Sequence, residues 1–232
     1  MSDIRKVVGT AGKLKPLKPV IESWFKVLEQ HCKRDEWEGN PWWFGERATL
    51  STLAGGAYRL PRWLAIEEYA TQKRRALGAN RNVDKKKLHG YGRCDLYLSN
   101  GNNDFALEAK QAWQPIGSSG LNWDKAHRSM ASAWEETGRL DKDEGGFRVA
   151  CTFIVPSIPP RKAKDTEKLI EKWISECGWE KGRGWKRGKS IAALFFPKKA
   201  RRMTTGHGRV FPGVALVLTL KEKANKRPKN TE

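Results

Sequence analysis

The apolar positions of this chain follow two rhythms. Val20, Trp24, Val27, Leu28 and His31 or Cys32 recur at the three-and-four spacing that places them on one side of a helix, and Pro16 and Pro19 open the run. Ala48, Leu50, Leu53, Ala54, Ala57 and Tyr58 form a second helical face, built of small residues and broken at Pro61. Within it, Gly55 and Gly56 either weaken the helix by about 1 kcal/mol each or let a neighbour pack closely. Two more helices are predicted over residues 121–138 and 165–178, the second with Asp165 or Thr166 as its N-cap.

The other rhythm has a period of two. In GRCDLYLS, Cys94, Leu96 and Leu98 fall on one face, and Asp95 and Tyr97 on the other. In DFALEAKQAW, Phe105, Leu107 and Ala109 fall on one face, and Ala106, Glu108 and Lys110 on the other. The NGNN between these runs is a hairpin-turn signal. In the strand predicted over 147–155, apolar character is continuous from Val149 to Val155 and stops at Pro156, as expected of a strand buried on both faces. SIAALFFP and GRVFPGVALVLTL read as further strands, while WLAIEEYATQKR is helix or strand by pattern alone. Residues 34–45 and 78–92 read as loops, residues 1–15 as a basic, glycine-punctuated segment loose at its start, and the last dozen as a frayed polar tail.

The hairpin carries the chemistry. With Gly101 and Asn102 at the turn centre, residues whose numbers sum to 203 pair, so Asp95 is expected opposite Glu108 with Lys110 on the same side. Facing carboxylates repel unless a cation compensates. A divalent metal would do so, with Lys110 helping. Hard oxygen ligands suit Mg²⁺, which retains waters for substrate and nucleophile. A neighbouring lysine can orient the attacking water or stabilise developing charge. Acids and lysines also commonly line a solvated hairpin face, so the surrounding elements must decide between the two readings.

Charge changes the picture next. Lys and Arg number 45 against 26 Asp and Glu, a net of +19 on 232 residues. Such a surface attracts polyanions, and nucleic acid is the partner it fits best. The expected phosphate contacts are Lys85, Lys86, Lys87, Lys186, Arg187, Lys198, Lys199, Arg201 and Arg202, and Trp185 within KGRGWKRGK is a candidate for stacking on bases. Trp24, Trp63, Trp134 and Trp173 sit at periodic positions and are expected in the core. Cys32, Cys94, Cys151 and Cys177 form no C-x-x-C pair and the histidines are scattered, which argues against structural zinc. No signal-peptide pattern, lipidation motif or apolar span appears, so no membrane association is expected and the location is expected to be intracellular, the cytoplasm. There is no P-loop.

Taken together, GRCDLYLSNGNNDFALEAKQ resembles the core motif of the PD-(D/E)XK, or restriction-endonuclease-like, nuclease superfamily, over about residues 44–156. Asp95 matches the family's Asp, Glu108 and Lys110 match its E-x-K pair, and Cys94 stands where many members have Pro. The resemblance implies an α/β fold: a mixed sheet flanked by helices, with core order helix, three strands, helix, strand, plus an extra C-terminal helix and strands. In that layout WLAIEEYATQKR becomes the first strand. Glu46 is the best match to the family's accessory acid, with Glu67 or Glu68 as rivals and Gln111 as a weaker candidate. Asp95 and Glu108, with Glu46 and the Ala109 carbonyl, would hold Mg²⁺ or Mn²⁺. The implied layout is an N-terminal helical extension (1–43), a nuclease-like domain (44–220) and a basic tail (221–232). The implied activity is phosphodiester hydrolysis, DNA being favoured over RNA, and a homodimer is one arrangement for cutting both strands. The alternative is a non-catalytic nucleic-acid binder on the same fold.

Overall fold

A computed structural model of the chain describes residues 3–9, 12–74, 89–117, 124–141, 144–177 and 189–221, with Arg74, His89 and Arg202 described by backbone alone. Seven strands pair into one sheet: β1 (Ile4–Val8), β2 (Leu64–Arg74), β3 (His89–Ser99), β4 (Asp104–Pro115), β5 (Phe147–Ser157), β6 (Ser190–Phe196) and β7 (Val214–Lys221). Their order is β1-β6-β7-β5-β4-β3-β2. β4 and β5 run parallel, and the other neighbours antiparallel. The protein is therefore α/β with a mixed sheet flanked by helices.

Each face of the sheet has its own core. On one, α1 (Lys18–Arg34), α3 (Glu46–Tyr58) and Trp42 of the short α2 (Pro41–Phe44) cover Leu107, Ala109, Val149, Cys151, Phe153 and Val155. On the other, α4 (Asp124–Arg139) and α5 (Thr166–Glu176) cover Ile154, Ala192, Leu194, Phe196, Ala215 and Val217. β5 feeds both cores, which is why its sequence is apolar without alternation. Gly56 resolves the question raised by its helix. A Cβ there would lie 2.9 Å from the backbone nitrogen of Trp24, so the glycine is what lets α3 press against α1.

Several expectations need correction. The basic N-terminus is not loose throughout, because β1 pairs with β6 from Ile4↔Phe196 to Val8↔Ala192. Leu14, Leu17, the buried side chains of α1 and Trp42 pack in the same core as the residues that follow them. β5 runs on through Pro156 to Ser157. Asp165 occupies the N-cap of α5, yet its side chain makes no capping bond. β2 is a strand, as the three-strand layout required. Trp24 and Trp173 are fully buried, and Trp63 packs on Phe105.

Candidate active site

The site forms where β3 leaves β4. From the turn, the ladder follows the expected register: Ser99↔Asp104, Leu98↔Phe105, Tyr97↔Ala106 and Leu96↔Leu107. It stops there, so Asp95 and Glu108 are not a ladder pair. The expected alternation also fails at this point. Leu96 and Leu98 enter the α1/α3 core, whereas Cys94 packs with Ala106, Leu140 and Tyr69 on the opposite face. β2 turns over at the same level. Ala65 faces the α1/α3 core, but the Tyr69 and Thr71 hydroxyls donate to the Glu144 carboxylate behind the sheet. Between the two halves Glu68 is left-handed, with φ of 52°, and the β2–β3 ladder skips Glu68 opposite Asp95. A non-glycine residue in that region carries backbone strain.

Beyond Leu107 the outer edge of β4 pairs with no strand among the described residues, while its inner edge stays bonded to β5 as far as Pro115. Buried N–H groups left in this way need acceptors. Two carboxylates supply them. Asp95 Oδ2 accepts from the Ala109 N–H at 2.7 Å, and Glu46 Oε2 accepts from the Gln111 N–H at 2.9 Å. A residue's N–H and C=O leave a strand on the same edge, so the Ala109 carbonyl also points out here, between the two acids. Glu46 is the first residue of α3, and the Gln111 side chain secures this end of the helix layer. Its Nε2 donates to the Trp42 carbonyl at 3.0 Å, and its Oε1 accepts from the Thr49 hydroxyl at 2.8 Å.

Glu108 and Lys110 leave β4 on its α4 side. Lys110 Nζ lies 2.7 Å from Glu136 of α4. Glu108 is fully buried, and its Oε2 lies 2.8 Å from Lys73 Nζ of β2. Its Oε1 has no hydrogen-bond partner among the described residues. Lys73 reaches it by lying across Gly92, where a Cβ would come within 2.8 Å of the lysine stem.

Burial raises the pKa of Glu46, Asp95 and Glu108 above the ordinary carboxylate range. Mutual repulsion adds to it: Glu68 acts on Asp95, and Asp95 and Glu136 act on both Glu46 and Glu108. Glu108 is pushed up to about 7, against the pull of Lys73. Burial works to lower Lys110, but its bond to Glu136 and the charges of Glu136, Glu46 and Asp95 outweigh it, so its pKa is raised. The arrangement is thus a cluster of partly buried acids in which burial outweighs the pull of the lysines beside them.

The structure brings Asp95, Glu108, Lys110, Glu46, the Ala109 backbone and Gln111 together, with Glu68 beside them. Glu68 also pairs with Arg47 and Arg93, at 3.1 and 3.6 Å. Glu67 is turned toward α3, bonded to Ser51 at 2.7 Å. Lys73 and Glu136 are additions that the sequence reading missed. Glu136 follows Ala126, Ser129 and Ala133 at helical spacing, so the inward stripe of α4 was its signal; Lys73 had none within its own strand.

The oxygen donors at this edge are of the hard kind that divalent cations take. The unpartnered Glu108 oxygen, the second oxygens of Asp95 and Glu46, and the Ala109 carbonyl are the groups that would meet such a cation. Among the described residues no three His, Cys, Asp or Glu side chains converge as a ready-made metal cage. Mg²⁺ is commonly held by one or two carboxylates and completed by water and phosphate oxygens.

The expected phosphate contacts divide. Lys198 and Lys199 are exposed just beyond β6. Arg201 is not available to a phosphate as expected: it is buried, donating to the Phe196 carbonyl at 3.1 Å and paired with Glu167 at 3.3 Å. Its neighbour Ala200 enters the core and carries it inward. The Arg202 side chain, and Lys85, Lys86, Lys87, Trp185, Lys186 and Arg187, lie outside the described residues. Among the described residues no helix is long and apolar enough to cross a membrane. Comparison with family models, curated proteins and solved structures finds no match to this chain.

Proposed function

We propose that this chain is a metal-dependent nuclease of the PD-(D/E)XK type that hydrolyses phosphodiester bonds, in DNA in preference to RNA. The observation that carries the reading is the bare edge of β4, where Asp95 and Glu46 grip alternate backbone N–H groups on either side of the Ala109 carbonyl. The order α3, β2, β3, β4, α4, β5 supports it, being the helix, three strands, helix and strand of that family's core. A net charge of +19 supports a polyanionic substrate.

Bound Mg²⁺ or Mn²⁺ would neutralise phosphate charge and acidify a water. Asp95 and Glu108 would hold it, with the Ala109 carbonyl completing the protein's share. Lys110, swinging from Glu136, would donate to a phosphate oxygen as charge builds there. Glu46, whose pKa is raised by burial, is suited to accept a proton from the attacking water as the bond from phosphorus to the leaving oxygen breaks.

One observation favours the second reading, a binder without turnover: Lys73 and Lys110 already neutralise Glu108 and Glu136. Cleavage of linear, circular and single-stranded DNA and of RNA, with Mg²⁺, Mn²⁺ or EDTA, separates the two. Metal-dependent cutting of DNA, lost in Asp95→Asn and Lys110→Ala, is the expected result. A wild type that binds these substrates and never cuts them would replace the nuclease with the binder.

A further inference from the structure

Three exposed aromatic residues lie within three positions of Glu46 or Gln111 along the chain. Phe44 is 66% exposed and stands two residues before Glu46; Trp113 is 41% exposed and stands two residues after Gln111. Trp43, also 41% exposed, is fixed on Phe211 with ring centroids 4.6 Å apart. Glu46 and Gln111 are joined by their own hydrogen bond, and Gln111 is also bonded to the Trp42 carbonyl, so α2 and the end of β4 are pinned together. Gln111 and Trp113 pair with Phe153 and Val155, both in the α1/α3 core, so Trp113 emerges on the face that α2 covers. A rise of about 3.3 Å per residue places it roughly 7 Å beyond Gln111 along the strand. Grouped exposed aromatics of this kind mark a binding surface more often than scattered ones do.

The occupant follows from charge. Pairing from β4 through β5 and β7 to β6 places the end of β6 at the same end of the sheet, three strand spacings or about 14 Å away. Exposed Lys198 and Lys199 follow that end. Cations at the same end of the sheet as exposed rings, on a protein of net charge +19, suit a strand with phosphates on one side and bare bases on the other.

We propose that Phe44 and Trp113 form a stacking pair for unpaired bases on either side of the Glu46–Gln111 contact, so that single-stranded nucleic acid is the preferred ligand. Its alignment with a scissile phosphate rests on the nuclease reading; its binding does not. A duplex keeps its bases stacked inside and offers these rings little.

The test is fluorescence anisotropy in EDTA, where nothing is cut, using a labelled oligothymidylate of about 12 nucleotides, within the span single-strand binders cover. The comparison ligand is its duplex with oligoadenylate. Phe44→Ala and Trp113→Ala should each weaken single-strand binding by about 5- to 150-fold, the equivalent of about 1–3 kcal/mol per stacked base. Trp113→Phe should retain most of the affinity. Leu64→Ala, an exposed apolar position at the opposite end of the sheet, should change nothing. Duplex affinity should match the wild type throughout. The proposal is overturned if the wild type ignores the single strand, if both alanine variants bind it normally, or if they lose single strand and duplex alike. It is also overturned if they change only self-association, which would make the patch a protein interface. Cleavage that persists when stacking fails, or stacking that holds when Asp95→Asn and wild type are both inert, tells this inference from the nuclease reading.

Discussion

The two ends of the β3–β4 hairpin share a sequence rhythm and differ in everything that matters chemically. Near the turn, four residue pairs hold the register and Leu96, Leu98, Phe105 and Leu107 fill the core. Beyond Leu96 the strands part, and side chains do what a strand would have done: Asp95 and Glu46 satisfy the edge of β4 in place of β3. Regular pairing satisfies the backbone without using acids. Interrupted pairing makes acids structural and holds them beside a backbone carbonyl, which concentrates negative charge in a partly buried place.

Asp95→Asn should break the contrast most sharply. Asparagine still offers an oxygen to the Ala109 N–H, so the fold should survive with little change in urea midpoint. Metal-dependent cleavage should fall by about 10²- to 10³-fold, the scale for losing one electrostatic element of a site. If activity and midpoint fall together, the acid is only a structural cap. The opposite end gives the opposite signature. Leu98→Ala should cost about 3 kcal/mol in urea unfolding, as cavities in cores do, while the folded fraction keeps its specific activity.

Lys73→Met sharpens the comparison at the parted end. It leaves Glu108 buried with neither oxygen partnered, and breaking such a pair should cost about 3 kcal/mol at pH 8. At pH 5.5 the loss should shrink, because Glu108 can then take up a proton. An equal loss at both values would mean that the lysine stem across Gly92, and not the ion pair, carries the effect.

The most gradual expected effect is in the wild type. Glu108 sits at about 7 when folded, against an ordinary 4.5. Between these values the folded state binds more protons than the unfolded one, so its contribution is fully present below 4.5 and is lost as pH rises through 7. Asp95 and Glu46, also raised, act in the same direction. Metal-free protein should therefore lose up to about 3 kcal/mol of stability over this window, less where water reaches the site. Millimolar Mg²⁺ should flatten the slope if the acids bind it. Stability that rises with pH across the window in EDTA would contradict the burial of Glu108.

Much of this architecture is legible in the amino-acid sequence alone. Alternation marked β3, β4 and the hairpin register, because a strand with one buried face must repeat every second residue. The apolar run of β5 showed burial on both faces, and helical spacing found α1, α3, α4 and α5. Local pattern also brought Glu108 and Lys110 to one side of β4, and the place of Glu46 in the order of elements pointed to it. What the chain could not show locally was where pairing would stop. The reversal of β2 and β3 at Glu68 and Asp95 depends on Tyr69 and Thr71 finding Glu144 some seventy residues on. The placing of Lys73 against Glu108 depends on an absent side chain at Gly92. β1 became a strand only because β6 had an edge to offer. Arg201 was basic and lay in a charge run, and only packing against Phe196 and Glu167 decided that it would be buried. Periodicity records which face of an element meets the core. Hydrogen-bond satisfaction at an interrupted edge is settled between residues far apart in the chain, and that is where the candidate site lies.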